Sequence, residues 1–136
     1  MTRHRRQESE EAIRRWDRVF EALSAAPRRH LVDELMDVPD GGTVSLPEAA
    51  VPAVIERDPE AFQIELHHRH LPLLADAGFV EWQRTPFQAA PGPQFDEVAV
   101  VLEALYANAG TVPEHLVPAC RTLEREYERE REQSEC

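Results

Sequence analysis

Ile13, Trp16, Phe20 and Leu23 recur at spacings of three and four residues, which predicts one apolar face on a helix from about Glu10 to Ala25. Pro27 opens a second helix, because a proline is tolerated in a first turn whose N–H groups have no intrahelical partner. Leu31, Val32 and Leu35 supply its apolar side, and Pro39, Asp40, Gly41 and Gly42 stop it. Thr43 to Leu46 reads as a short β-type segment. Ser45 and Glu48 have the spacing of a capping box for a third helix, with Pro47 near its start. Pro52 would leave that helix short or broken.

A further helix begins near Pro59 and ends at Gly78, a residue suited to a C-terminal stop. Phe79 to Arg84 alternates apolar and polar positions, as a half-buried strand does, and a loop with a return strand at Phe87 to Ala89 follows. Val98, Val101, Leu102 and Leu105 define a helix, and Leu116, Cys120, Leu123 and Tyr127 define a last one that runs into a charged tail. No internal repeat or long linker interrupts the chain. The expected division is a flexible arm of mixed charge at 1–12, a domain at 13–107 and a C-terminal helix at 108–136. The fold class is mainly α with a small β-hairpin wing: helix, helix, β, helix, helix, hairpin is the order of a winged helix-turn-helix with helical extensions at both ends.

The segment His70-Leu71-Pro72-Leu73-Leu74-Ala75-Asp76-Ala77-Gly78-Phe79-Val80 resembles the end of the recognition helix in ArsR-like winged-helix regulators, which read Ser-x-His-Leu-x-x-Leu-x-x-Ala-Gly-Leu-Val. His70, Leu71, Leu74, Ala77, Gly78 and Val80 match; His68 stands at the serine position and Phe79 at the first of the closing pair. Upstream, Pro27, Arg28, Arg29, Leu31 and Leu35 are similar to the family's second-helix opening. The histidine-rich helix with Pro72 also resembles small haloarchaeal winged-helix proteins of unknown function. The likeness covers about Trp16 to Ala107. It implies a recognition helix at about 60–77 and a wing at 79–90. The matching leucines, glycine and valine are scaffold residues, so they speak for the fold before any function.

Three histidines and an arginine fall in the four positions 67–70. On a regular helix Ile64, His67, Leu71 and Leu74 share one stripe, and Glu65, His68, Arg69 and Pro72 share the opposite one. His67 therefore reads as an inward or boundary residue, packed rather than ligating. His68 and Arg69 point outward, either toward base edges, where arginine grips guanine and histidine donates or accepts, or into solvent or a partner. An interior proline costs about 3 kcal/mol or more in a regular helix, so a bend is expected between His68 and Pro72. The bend either aims the N-terminal half into a groove or spoils the family's geometry. Metal binding is the rival use. His67 and His70 have i, i+3 spacing, and His115 and Cys120 lie five apart in another helix, a weak signal; a structural zinc site wants four ligands, and the cysteine-bearing sensor motif of metal-responsive relatives is absent. No metal or cofactor is expected. Without a phosphate loop, nucleophile elbow or paired carboxylates, neither is an enzyme.

Charge sharpens this picture. Of 136 residues, 26 are acidic and 15 basic, giving −11, and every basic residue is arginine. A lysine-free acidic chain fits a halophilic archaeon, where concentrated salt screens self-repulsion; the alternative is an ordinary acidic protein from a GC-rich genome that favours arginine codons. Residues 1–29 carry eight arginines against five acids, whereas Ala22–Val32, Leu66–Ala75 and Trp82–Phe95 contain no acid at all. A polyanion would meet least repulsion in those three stretches. Two cysteines, Cys120 and Cys136, are too few for a disulfide framework and fit a reducing cytoplasm; no stretch is apolar enough for a membrane span or a signal peptide.

The expected function is sequence-specific reading of double-stranded DNA in transcription regulation, with His68 and Arg69 at base edges and Gln83, Arg84 and Gln88 of the wing at phosphates or the minor groove. The alternative is a winged-helix module that binds another protein and never touches DNA. A homodimer is expected through the outer seams, Ile13, Trp16, Phe20 and Leu23 with Leu116, Cys120, Leu123 and Tyr127, unless those seams pack on each other within one chain.

Overall fold

The computed structural model describes residues 2–51 and 58–134. Its order is α1 (Thr2–Ala22), α2 (Ala26–Met36), β1 (Val44–Ser45), a 3-10 turn (Glu48–Ala50), α3 (Pro59–Glu65), a π-helical turn (Leu66–His70), α4 (Leu71–Asp76), β2 (Val80–Arg84), β3 (Phe87–Pro91), α5 (Phe95–Ala107), 3-10 turns at Ala109–Thr111 and Glu114–Ala119, and α6 (Arg121–Ser134). The protein is mainly helical with one small antiparallel sheet of order β1-β3-β2. Trp82 faces Ala89, Gln83 faces Gln88 and Arg84 faces Phe87 across the hairpin, while Val44 pairs with Ala89 on its far side.

Most elements begin where local chemistry starts them. Pro27 lies in the first turn of α2, and Asp58 accepts from the Glu60 N–H at 3.2 Å ahead of α3, leaving Pro59 the position whose missing N–H costs nothing. Gly78 ends α4 at φ +80°, a left-handed conformation that a Cβ would strain, and the chain turns directly into β2. The buried centre joins Leu31, Val32 and Leu35 of α2 to Leu66, Leu71 and Leu74, with Phe79, Val80 and Val98 closing it from the hairpin and α5.

Four sequence expectations need correction. Helix α1 begins at Thr2 rather than near Glu10, so the segment expected to be a flexible arm is helical from its second residue; Arg, Gln and Glu are good helix formers, and His4 pairs with Glu8 at 3.1 Å one turn on. Ser45 does not cap a helix. It pairs with Gln88 in the sheet, and the expected third helix is a single 3-10 turn; Pro52 lies outside the described residues.

Leu23 leaves the expected α1 seam, while Ile13, Trp16 and Phe20 stay outside as a seam without a partner in the chain would. Val19 and Ala22 face the core, and Leu23 packs against it. Arg15 settles which face turns inward: its Nε donates to Glu97 Oε1 at 2.7 Å and its Nη2 to the Ala77 carbonyl at 2.8 Å, with the guanidinium 5.5 Å from the Phe79 ring centre. A helix whose arginine is so held cannot also turn Trp16 inward.

The C-terminal seam is not an open surface. Leu123 is buried, and Cys120 and Tyr127 pack against the same core, through α5 rather than α1; of the four residues only Leu116 is exposed. Among the described residues no helix is long and apolar enough to cross a membrane.

Candidate nucleic-acid interface

The histidine-rich stretch is the π turn itself. The Leu71 N–H bonds to the Leu66 carbonyl, five residues back, and Pro72 follows with no N–H to give. Widening the turn by one residue separates the proline ring from the carbonyl it would otherwise strike, which is how a helix keeps running through a proline. The expected bend therefore takes the form of an inserted residue.

That insertion changes which side chains face inward. Counting back from Leu74 and Leu71 at regular helical spacing places His67 and Ile64 on the core side. With one extra residue in the turn, Leu66 and Phe62 take those places; both are buried, and Ile64 stands 60% exposed. His70, expected among the scaffold matches, is buried at 3% exposure beside Leu71.

His67 and His70 consequently diverge. His67 is half-buried. Its Nδ1 meets the Gln63 carbonyl at 2.8 Å, and its ring stacks on Phe87 with centres 4.5 Å apart and meets the edge of Trp82 at 5.6 Å. The helix is thereby fastened to both hairpin strands. On the inner side, Nδ1 of His70 lies 2.7 Å from Nη1 of Arg28. Arginine has no acceptor, so the histidine presents its lone pair there and the ring is neutral. Arg28 itself is buried and donates to the carbonyls of Ala22 and Glu21, each at 2.9 Å, and to the Ser24 hydroxyl at 3.0 Å. Burial first, and then the positive charge of Arg69, hold Arg28 below the usual arginine range, with Glu21 opposing the shift.

Of the residues expected to meet DNA, His68 and Arg69 are exposed on the outer side of the π turn and Arg84 is exposed at the end of β2. Arg84 lies over the Trp82 ring at 5.9 Å. Since Trp82 also meets His67, this hairpin arginine belongs to the sheet face that adjoins the helix. Gln83 and Gln88 oppose each other across β2 and β3 on the other face, together with Glu81. The expected hairpin residues are thus split: Arg84 lies on the sheet face that adjoins the helix, and the two glutamines lie on the opposite face.

Ile64 is an exposed apolar residue that regular spacing had placed inward. It borders a shallow groove with Glu60, Gln63, His67 and His68. The signal was present in Pro72, since the phase shift that exposes Ile64 follows from the proline. Among the described residues no three histidine, cysteine, aspartate or glutamate side chains come together as a metal-holding group. Comparison with family models, curated proteins and solved structures finds no match to this chain.

Proposed function

We propose that this chain is an ArsR-like winged-helix protein that reads double-stranded DNA as a homodimer, with α3, the π turn and α4 as the recognition helix and β2–β3 as the wing. The observation that carries the reading is that His68, Arg69 and Arg84 are all exposed, within stretches free of acidic residues in an otherwise acidic chain. Arg69 reaches a guanine edge, His68 a neighbouring base, and Ile64 offers an apolar contact of the kind a thymine methyl takes. Arg84 meets the backbone beside the wing. The helix is held at both sides, by His67 on Phe87 and by His70 on Arg28, so the reading face is presented rigidly. Ile13, Trp16 and Phe20 form the dimer seam, with Trp16 and Phe20 already stacked 5.7 Å apart.

A second reading rests on the same seam together with the charge. An exposed aromatic pair on a protein of net charge −11 also suits a winged-helix module that binds another protein and leaves DNA alone. Mapping the genomic DNA recovered with the tagged chain, and then comparing wild type and Arg69→Ala on the recovered site and on scrambled DNA, separates the two. DNA reading requires wild type to prefer the recovered site and Arg69→Ala to lose that preference, by about 1 to 3 kcal/mol per half-site. Binding without preference in wild type, or unchanged preference in the variant, discards it in favour of the protein partner.

A further inference from the structure

Away from the reading face, α2 and α5 diverge beneath α6 and the two 3-10 turns that precede it, leaving a pocket of about 270 Å³. Its deep wall is apolar and buried, built on Leu102 and Leu123. Its rim carries Leu105 and Leu116, which are 40% and 54% exposed. Exposed leucines bordering a concave apolar surface are a common mark of a ligand site.

The polar groups that meet at Asp33 set its carboxylate acceptors against hydroxyl donors. Asp33 Oδ1 takes the Tyr106 hydroxyl at 2.9 Å and Oδ2 takes the Thr122 hydroxyl at 2.9 Å, and each oxygen keeps a further lone pair. Cys120 Sγ lies 3.5 Å from the same phenol oxygen. His30 meets the Ala49 carbonyl through Nδ1 at 2.9 Å, so Nδ1 carries a proton. Burial, reinforced by Cys120 and Asp33, holds the Tyr106 phenol far above its usual range, and it remains a donor toward Asp33. Arg29 also borders the pocket and donates from Nη1 to the Leu23 carbonyl at 2.7 Å.

We propose that this pocket binds a compact apolar molecule bearing one hydrogen-bond donor, of which a small neutral phenol is the simplest kind. At roughly 30 Å³ per water-sized group, the volume suits about nine non-hydrogen atoms. An apolar body displaces water from the leucines, and the donor head meets the lone pairs around Asp33. A carboxylate head placed at Asp33 would be repelled by it, so a neutral donor is favoured there. The proposal is independent of DNA reading.

The test titrates 4-ethylphenol, ethylbenzene and 4-ethylbenzoate into the full chain at high salt, following leucine methyl resonances. The phenol should give saturable shifts confined to the pocket leucines, with half-saturation at or below the millimolar range. Ethylbenzene should bind about tenfold more weakly, since the acceptors stay unpaired, and the benzoate should not bind. Leu102→Trp fills the pocket and should abolish the shifts. Should that variant fail to fold, Leu116→Trp at the exposed rim obstructs entry while leaving the core intact, and should weaken the phenol at least tenfold. No saturable shift from the phenol in wild type, equal binding of phenol and benzoate, or full binding to a folded Leu116→Trp variant overturns the proposal.

Discussion

Arg28 of α2 donates from Nη1 to Nδ1 of His70 in the π turn across 2.7 Å, and both side chains are buried. Two residues 42 positions apart thus join the helix before the sheet to the helix proposed to read DNA, at the point where Arg69 faces outward.

Breaking that pair should be costly in an ordered way. His70→Phe leaves one guanidinium N–H without its partner and should lose about 1 to 3 kcal/mol of stability. Arg28→Met should lose more than His70→Phe, because the Ala22 and Glu21 carbonyls also lose their donor. Urea unfolding of both variants checks the ranking; equal stability to wild type in either would show that water replaces the bond.

The π turn yields a more unusual prediction. Deleting His68 removes the extra residue and returns Leu66, His70, Leu71 and Leu74 to an unbroken helical stripe, but it drives Pro72 back against the preceding turn at a cost of about 3 kcal/mol. Adding Pro72→Ala to the deletion should restore most of that loss. Circular dichroism and thermal melting of the two variants decide it; a double variant no more stable than the deletion alone would mean that the proline does not cause the insertion.

The two outer seams should now behave differently. Trp16→Glu lies on an exposed surface and should change stability by no more than about 0.5 kcal/mol while abolishing self-association in light scattering at high salt. Leu123→Glu puts a charge among buried side chains and should lose about 3 kcal/mol or more, whatever the oligomeric state. A wild type already monomeric at high salt would end the dimer proposal.

On DNA, Arg84→Ala should weaken recovered and scrambled sites by a similar factor, as a backbone contact does, with melting little altered. Phosphate contacts lose log K with a slope of about −0.9 each against log salt, so arginine-to-phosphate pairs retain little at molar salt. A chain suited to such conditions must rely on base edges, DNA shape and apolar contact from residues such as Ile64. A titration from about 0.5 M to about 3 M KCl should show a shallow slope; a steep continuous loss would place the affinity in phosphates instead.

Much of the fold is legible in the chain because it follows from local rules. Pro27, Pro59 and Gly78 mark helix ends through φ and missing donors, and the alternation from Phe79 to Arg84 becomes β2. Likewise, the outward placement of His68, Arg69 and Arg84 follows from polar residues avoiding the core. Rotation and phase are another matter. The faces of α1 and α6 depend on which neighbour each helix meets, and that was decided by Arg15 reaching Ala77 and Glu97 and by Leu123 finding space against α5. Burial of His70 and exposure of Ile64 depend on a π turn that breaks the period any sequence count assumes. Gln83 and Gln88 were separated from Arg84 by the pleat, since neighbours along a strand face opposite ways. The sequence by itself determined where elements start, stop and carry charge, because those are properties of adjacent residues; tertiary structure alone decided which face of each element meets which partner, because that is settled by contacts between residues far apart in the chain.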